Sequence, residues 1–141
     1  MPARIADAEW RGNLMEGTGR VHLGSGTFEG PYDFKSRFGD GGGTNPEELI
    51  AAAHAGCFSM AFANILAGAG HTAESVRTTA KVHLGKVGES FAITKIELST
   101  EGRVPGIDAA AFQTHAEAAK KGCPVSKALA AVEITLTARL L

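Results

Sequence analysis

Cysteine is almost missing from this chain: Cys57 and Cys123 are the only two among 141 residues. That is too few for a disulfide-stapled secreted scaffold and too few for an all-cysteine zinc site, and a cytoplasmic location is the expectation. Charge of one sign is missing as well, since 14 Lys and Arg stand against 15 Asp and Glu for a formal net charge of -1. The longest basic run is Lys120-Lys121, and a chain without a basic stripe is not expected to bind nucleic acid. The segment from Met1 to Asp7 has no apolar stretch behind its one arginine, so no secretory signal is expected. Leu49 to Gly70 carries no Asp, Glu, Lys or Arg and is long enough to span a bilayer. Its content is mostly Ala and Gly with His54, Ser59 and Asn64 inside, which reads as a buried helix of a soluble protein and not as a membrane span. What is present in quantity, 44% hydrophobic and 21% charged residues, is the composition of an ordinary globule. Residues 1–141 are expected to form a single domain, since about 100–200 residues per domain is usual.

Glycine organises the first third. Gly12, Gly17, Gly24, Gly26 and Gly30 punctuate three short strands at about Arg4–Arg11, Gly19–Gly24 and Tyr32–Phe38, a β-meander. Gly39-Asp40-Gly41-Gly42-Gly43 is a loop, and Asn45-Pro46-Glu47-Glu48 starts a helix with Asn45 as N-cap and Pro46 in the first turn. That helix is expected to run to about Ala67. Alternation from Val76 to Leu84, a turn at Gly88-Glu89 and the segment Phe91–Thr100 predict a hairpin. A helix from Asp108 to Lys121, a shorter one after Cys123-Pro124 and a strand through Val132, Ile134, Leu136, Ala138 and Leu140 complete the chain. The order is α+β. Because the long helix is small on nearly every face and has no charged side, it is expected to be central and packed on several sides, most easily in a two-fold dimer.

Three site readings compete on residue types alone. The glycine loop before Asn45 lacks the Gly-Lys-Ser/Thr of a phosphate cradle and is followed by Glu47 and Glu48, so nucleotide binding is set aside. His54 and Cys57, three apart on one helix face, suit a Cys-His hydrolase or part of a metal site, yet no orienting group or further ligand has the right spacing. The plainer alternative is a packed His54 bonded to a backbone carbonyl, in a non-catalytic domain with cysteines that only fill space. Against that, Cys123 sits just before Pro124 at a helix N-terminus, where thiolate is favoured over thiol.

Six segments carry a resemblance: Phe34-Lys35-Ser36-Arg37-Phe38, Thr44-Asn45-Pro46-Glu47-Glu48-Leu49-Ile50, His54-Ala55-Gly56-Cys57-Phe58-Ser59-Met60, Phe91-Ala92-Ile93-Thr94-Lys95-Ile96, Val104-Pro105-Gly106-Ile107-Asp108 and Gly122-Cys123-Pro124-Val125-Ser126. In this order, and from about Trp10 onward, the chain resembles the OsmC branch of the OsmC/Ohr peroxidase family. The resemblance implies an OsmC-like fold in an intertwined homodimer, with two active sites at the interface. It implies a thiol peroxidase without a bound cofactor or metal that reduces organic hydroperoxides to alcohols. Cys57 matches the peroxidatic cysteine and Cys123 the resolving one; Glu47 matches the motif glutamate and Arg37 the arginine after the third strand, with Arg20 as the alternative. Arg37 would hold the Cys57 thiolate and Glu47 the guanidinium, while Ile50, Phe58 and Met60 would receive an alkyl tail. The family's reductant is a dihydrolipoyl group on a partner protein.

Overall fold

A computed structural model describes residues 2–141. The elements follow in the order β1 (Ala6–Arg11), β2 (Thr18–Leu23), β3 (Glu29–Tyr32), α1 (Phe34–Phe38), α2 (Pro46–Gly68), β4 (Ser75–Val87), β5 (Ser90–Arg103), α3 (Ala109–Gly122), α4 (Pro124–Ala128) and β6 (Glu133–Leu140). The architecture is the expected α+β one, with two separate three-stranded sheets, β1-β2-β3 and β4-β5-β6. Contacts divide the chain into two compact units, Met1–Leu49 and Ile50–Leu141, and α2 begins in the first and runs on through the second.

The first unit is an antiparallel meander followed by α1. Gly19 pairs with Trp10 on one side and Tyr32 on the other, and the two rings meet across it with centroids 5.4 Å apart. A Cβ at Gly19 would stand 2.5 Å from the Tyr32 ring and 2.7 Å from Trp10, so only glycine fits. The segment expected to be a third strand over Tyr32–Phe38 is split. The strand stops at Tyr32 and residues 34–38 form α1, because Asp33 accepts from the Ser36 backbone N–H while the Ser36 side chain accepts from the Asp33 N–H. This reciprocal cap satisfies two donors that a strand edge would leave to water. In the glycine loop, Gly43 alone has a positive φ, of 104°, and Thr44 N–H then bonds Pro31 carbonyl at 2.9 Å. Among the described residues of this unit the buried side chains larger than glycine are Ser36, Thr44 and Glu47, none of them apolar.

The second unit holds the apolar core. On α2 the positions His54, Phe58, Phe62 and Leu66 are all 0% exposed and recur every four residues, which is one helix face. Phe62 joins Phe58 at 5.7 Å and Phe112 of α3 at 5.0 Å between ring centroids. On β5, Ile96, Leu98, Thr100 and Gly102 alternate inward, as a strand with one covered face requires. The hairpin β4-β5 is antiparallel, with an irregularity at His83/Leu84. Strand β6 lies parallel to β5, Lys95 opposite Glu133 through Gly102 opposite Leu140, so α3 and α4 form a crossover that the sequence pattern did not reveal. By length and composition α2 passes as a membrane span. The face carrying Phe58, Phe62 and Leu66 belongs instead to the protein core. The opposite face is not packed in the single chain, where Ala52, Ala53, Gly56 and Met60 are exposed.

Candidate active site

Cys57 is the residue after Gly56 on α2, and Cys123 is the hinge between α3 and α4, capping the end of one and the start of the other. The break at Cys123 follows from Pro124, which cannot continue α3 but suits the first turn of α4. The two sulfurs lie 2.9 Å apart as free thiols, although 66 residues separate them. Cys57 is half-buried, whereas Cys123 is 0% exposed. A reagent from solvent therefore meets Cys57 first.

Their protonation is unequal. Burial first, and then the hydrogen bond and charge of Cys123, push the Cys57 thiol above its ordinary value, with a backbone bond at Val125 acting the other way. For Cys123 burial acts upward too. It is outweighed by hydrogen bonding with Cys57, with the backbone and side chain of Ser126 and with the backbone of Val125, so the net shift is downward. Backbone N–H groups at the start of a helix stabilise a thiolate in this way.

His54 does not approach Cys57 as a catalytic base would. Its Nε2 lies 2.7 Å from Ser126 Oγ, and its Nδ1 is buried with no partner. The bond is to a hydroxyl and not to the backbone carbonyl expected. Burial lowers its pKa, so the imidazole is neutral at neutral pH. Ser126 was legible only as part of the Gly122–Ser126 motif. The signal that finds it is the matched spacing, since 54 and 57 lie one turn apart on α2 while 123 and 126 lie one turn apart across the start of α4. Among the described residues no group of three or more His, Cys, Asp or Glu is placed to hold a metal ion.

Arg37 and Glu47 form their own cluster in the first unit. Arg37 donates through Nη2 to Glu47 Oε1 at 2.8 Å and through Nε to both carboxylate oxygens at 3.2 Å. The Glu47 side chain is 8% exposed and that of Arg37 37%, and the guanidinium carbon lies 5.4 Å over the Phe38 ring. Charge-assisted, several-pronged contacts of this kind fix a guanidinium plane. Asn45 Nδ2 holds the Ser36 carbonyl at 2.9 Å while its Oδ1 caps α2 at Glu48 N–H, so one residue ties α1 to the start of α2. Beside Arg37 lies a pocket of about 290 Å³ lined also by Trp10, Leu14, Tyr32, Asp33, Phe34 and Phe38. Arg20 instead pairs with Glu29 at 3.1 Å on the exposed face of the meander. Of the residues expected to receive an alkyl tail, Phe58 is fully buried in the core, Ile50 is half-buried and Met60 is 77% exposed.

Residues 39–137 match a protein family described as OsmC-like protein. The chain is 53% identical over 134 residues to the peroxiredoxin OsmC of Escherichia coli strain K12, covering 94% of this chain and 93% of that one. It is 36% identical over 99 residues to the organic hydroperoxide resistance protein of Xanthomonas axonopodis pv. citri, covering 69% and 68%. Among solved structures, an organic hydroperoxide resistance protein from Elizabethkingia anophelis superposes with a TM-score of 0.75 at 25% identity, covering 99% of each chain.

Proposed function

From the fact that this chain belongs to the OsmC family, we propose that it works as a thiol peroxidase that reduces organic hydroperoxides to alcohols. The observation that carries the reading is the pair of sulfurs 2.9 Å apart, one reachable from solvent and one fully buried behind it. The Cys57 thiolate attacks the distal peroxide oxygen, the O–O bond breaks, and the alkoxide takes a proton and leaves as the alcohol. The Cys57 sulfenic acid is then attacked by Cys123, the S–S bond forms, and water departs. An external dithiol, by this reading a lipoylated protein, reduces the disulfide. The His54 geometry favours this over a Cys-His hydrolase, because the imidazole is committed to Ser126.

Arg37 and Glu47 complete the reading from a second subunit. Helix α2 is unbroken from Pro46 to Gly68, and ten residues of α-helix rise about 15 Å, too far for Glu47 to serve the Cys57 of its own chain. Yet Cys57 needs a cation, since its own surroundings raise its pKa. We place the Arg37–Glu47 pair of a partner subunit there, in a homodimer whose subunits are single OsmC-like domains of both units. The open face of α2 and the lack of a buried apolar side chain among the described residues of the first unit support this. The apolar part of the hydroperoxide would occupy the aromatic pocket beside Arg37 in place of Ile50, Phe58 and Met60, and the cytoplasm is the proposed site of action.

The test is hydroperoxide consumption with a dithiol. The wild type turns over, Cys57→Ser consumes nothing, and Cys123→Ser consumes one equivalent and stops. Retained turnover in Cys57→Ser, or an oxidised product bridged between chains at Cys57, refutes the reading.

A further inference from the structure

The cysteine pair is one rung of a two-rung ladder. His54 and Cys57 are one turn apart on α2, Cys123 and Ser126 one turn apart across the start of α4, and the contacts run Cys57 to Cys123 at 2.9 Å and His54 to Ser126 at 2.7 Å. The peroxidase chemistry proposed above uses only the first rung. The second is 0% exposed at His54 and 5% at Ser126, and it consists of polar groups that burial penalises unless they are bonded.

The hydrogens on this rung can be placed. A neutral imidazole has one N–H. Nε2 has a partner and Nδ1 has none, so a hydrogen on Nδ1 would be a buried donor with nothing to bond, and orphaned donors are rarer than under-used acceptors. With the hydrogen on Nε2, His54 donates to Ser126 Oγ. The Ser126 hydroxyl is then free to act as a donor toward Cys123, one turn back at the N-cap of α4, and Ser126 lowers the pKa of that cysteine. The chain of donors runs one way, from His54 through Ser126 to the Cys123 sulfur. No charged side chain acts on His54, where burial is the sole influence. Cys123 is faced by Cys57, the Ser126 hydroxyl and the N–H groups of Val125 and Ser126.

We propose that His54 is a positioning residue for the resolving step, orienting the Ser126 hydroxyl so that it stabilises the anion that develops on Cys123 as that sulfur attacks the Cys57 sulfenic acid. In the step, the Cys123 sulfur supplies the electron pair of the new S–S bond and the S–O bond of Cys57 breaks. The Cys123 proton joins the departing hydroxide as water. Cys123 is closed to solvent, so no water molecule takes the place of the Ser126 donor. The inference rests on the peroxidase reading and concerns its second step alone.

The experiment is a single turnover of full-length protein with one equivalent of cumene hydroperoxide. Samples are quenched with an alkylating reagent, and the disulfide is separated by mass spectrometry from alkylated Cys123. In Ser126→Ala and His54→Leu, disulfide formation should slow tenfold or more near neutral pH, and its pH midpoint should move upward, while the first equivalent is consumed at close to the wild-type rate. His54→Gln, which restores an N–H donor, and Ser126→Thr, which keeps the hydroxyl, should recover most of the rate, and they serve as the readout if His54→Leu does not fold. Disulfide formation at the wild-type rate and midpoint in Ser126→Ala overturns the inference. So does equal loss in the Gln and Leu variants of His54. A wild type that consumes no hydroperoxide overturns instead the peroxidase reading beneath it.

Discussion

Two thiols 2.9 Å apart share a hydrogen bond, and the division of labour between Cys57 and Cys123 rests on how each shifts the other. Cys57 is raised by burial and, next, by the bond and charge of Cys123. Removing Cys123 therefore removes two upward influences and leaves burial opposed by the backbone bond at Val125. Cys123→Ala should move the pH midpoint of Cys57 alkylation by iodoacetamide to lower pH than in the reduced wild type; a midpoint that stays or rises refutes this account of the pair. His54 gives a second prediction. Its pKa lies below the ordinary 6.5 because of burial, so on acidification the unfolded chain takes up a proton before the folded one does. The stability this contributes is full above 6.5 and is lost as pH falls from there toward the folded value. Between about pH 8 and about pH 5, across the histidine range, the urea midpoint should drop further in the wild type than in His54→Gln; equal drops refute the assignment. Little of this was readable from the sequence. A helix N-terminus at Cys123-Pro124 is local and was visible, but the meeting of positions 66 and 72 residues apart depends on the α3–α4 return and was implied only by the family resemblance or not at all.

Elements were legible where their ends carry their own chemistry. Asn45, Pro46 and Asp108 start α2 and α3 as read, because an N-cap is an interaction within four residues. Tyr32–Phe38 misled because apolar residues at 32, 34 and 38 satisfy a strand period and an i,i+4 helix pair together. Phe34 and Phe38 do stack at 4.8 Å, and the Asp33–Ser36 cap decides between the two. That cap also aims a functional group, since α1 has five residues and Arg37 is its fourth. Asp33→Ala should cost about 1 kcal/mol, the usual worth of an N-cap, and loosen the Arg37–Glu47 contact. The expected result is a several-fold fall in hydroperoxide turnover together with a lowered urea midpoint. Asp33→Asn, which retains the acceptor, should restore both. Wild-type turnover in the destabilised Ala variant separates α1 from the site.

At the scale of the whole molecule, the first unit has an ion pair and an aromatic pocket but, among its described residues, no buried apolar core, and α2 has an unpacked face of Ala52, Ala53, Gly56 and Met60. A Cβ at Gly56 would meet nothing within 4 Å in the single chain, so a larger residue is free of strand or helix neighbours there. Small residues on a helix let a second backbone come close, and a two-fold axis near Ala52 would set two copies of α2 antiparallel. Glu47 of one would then stand level with Cys57 of the other. Gly56→Arg should in that case give a folded monomer by sedimentation, with hydroperoxide turnover lost; a dimer that persists, or a fully active monomer, removes the shared site. The sharper test uses two dead proteins. Mixing Glu47→Ala with Cys57→Ser and allowing subunits to exchange puts an intact Glu47 beside an intact Cys57 once in each mixed dimer. With random exchange in a two-fold dimer about a quarter of wild-type turnover should return. If Glu47 instead serves the cysteine of its own chain, no dimer in the mixture has a complete site, and the activity stays at the level of the parents however long exchange proceeds.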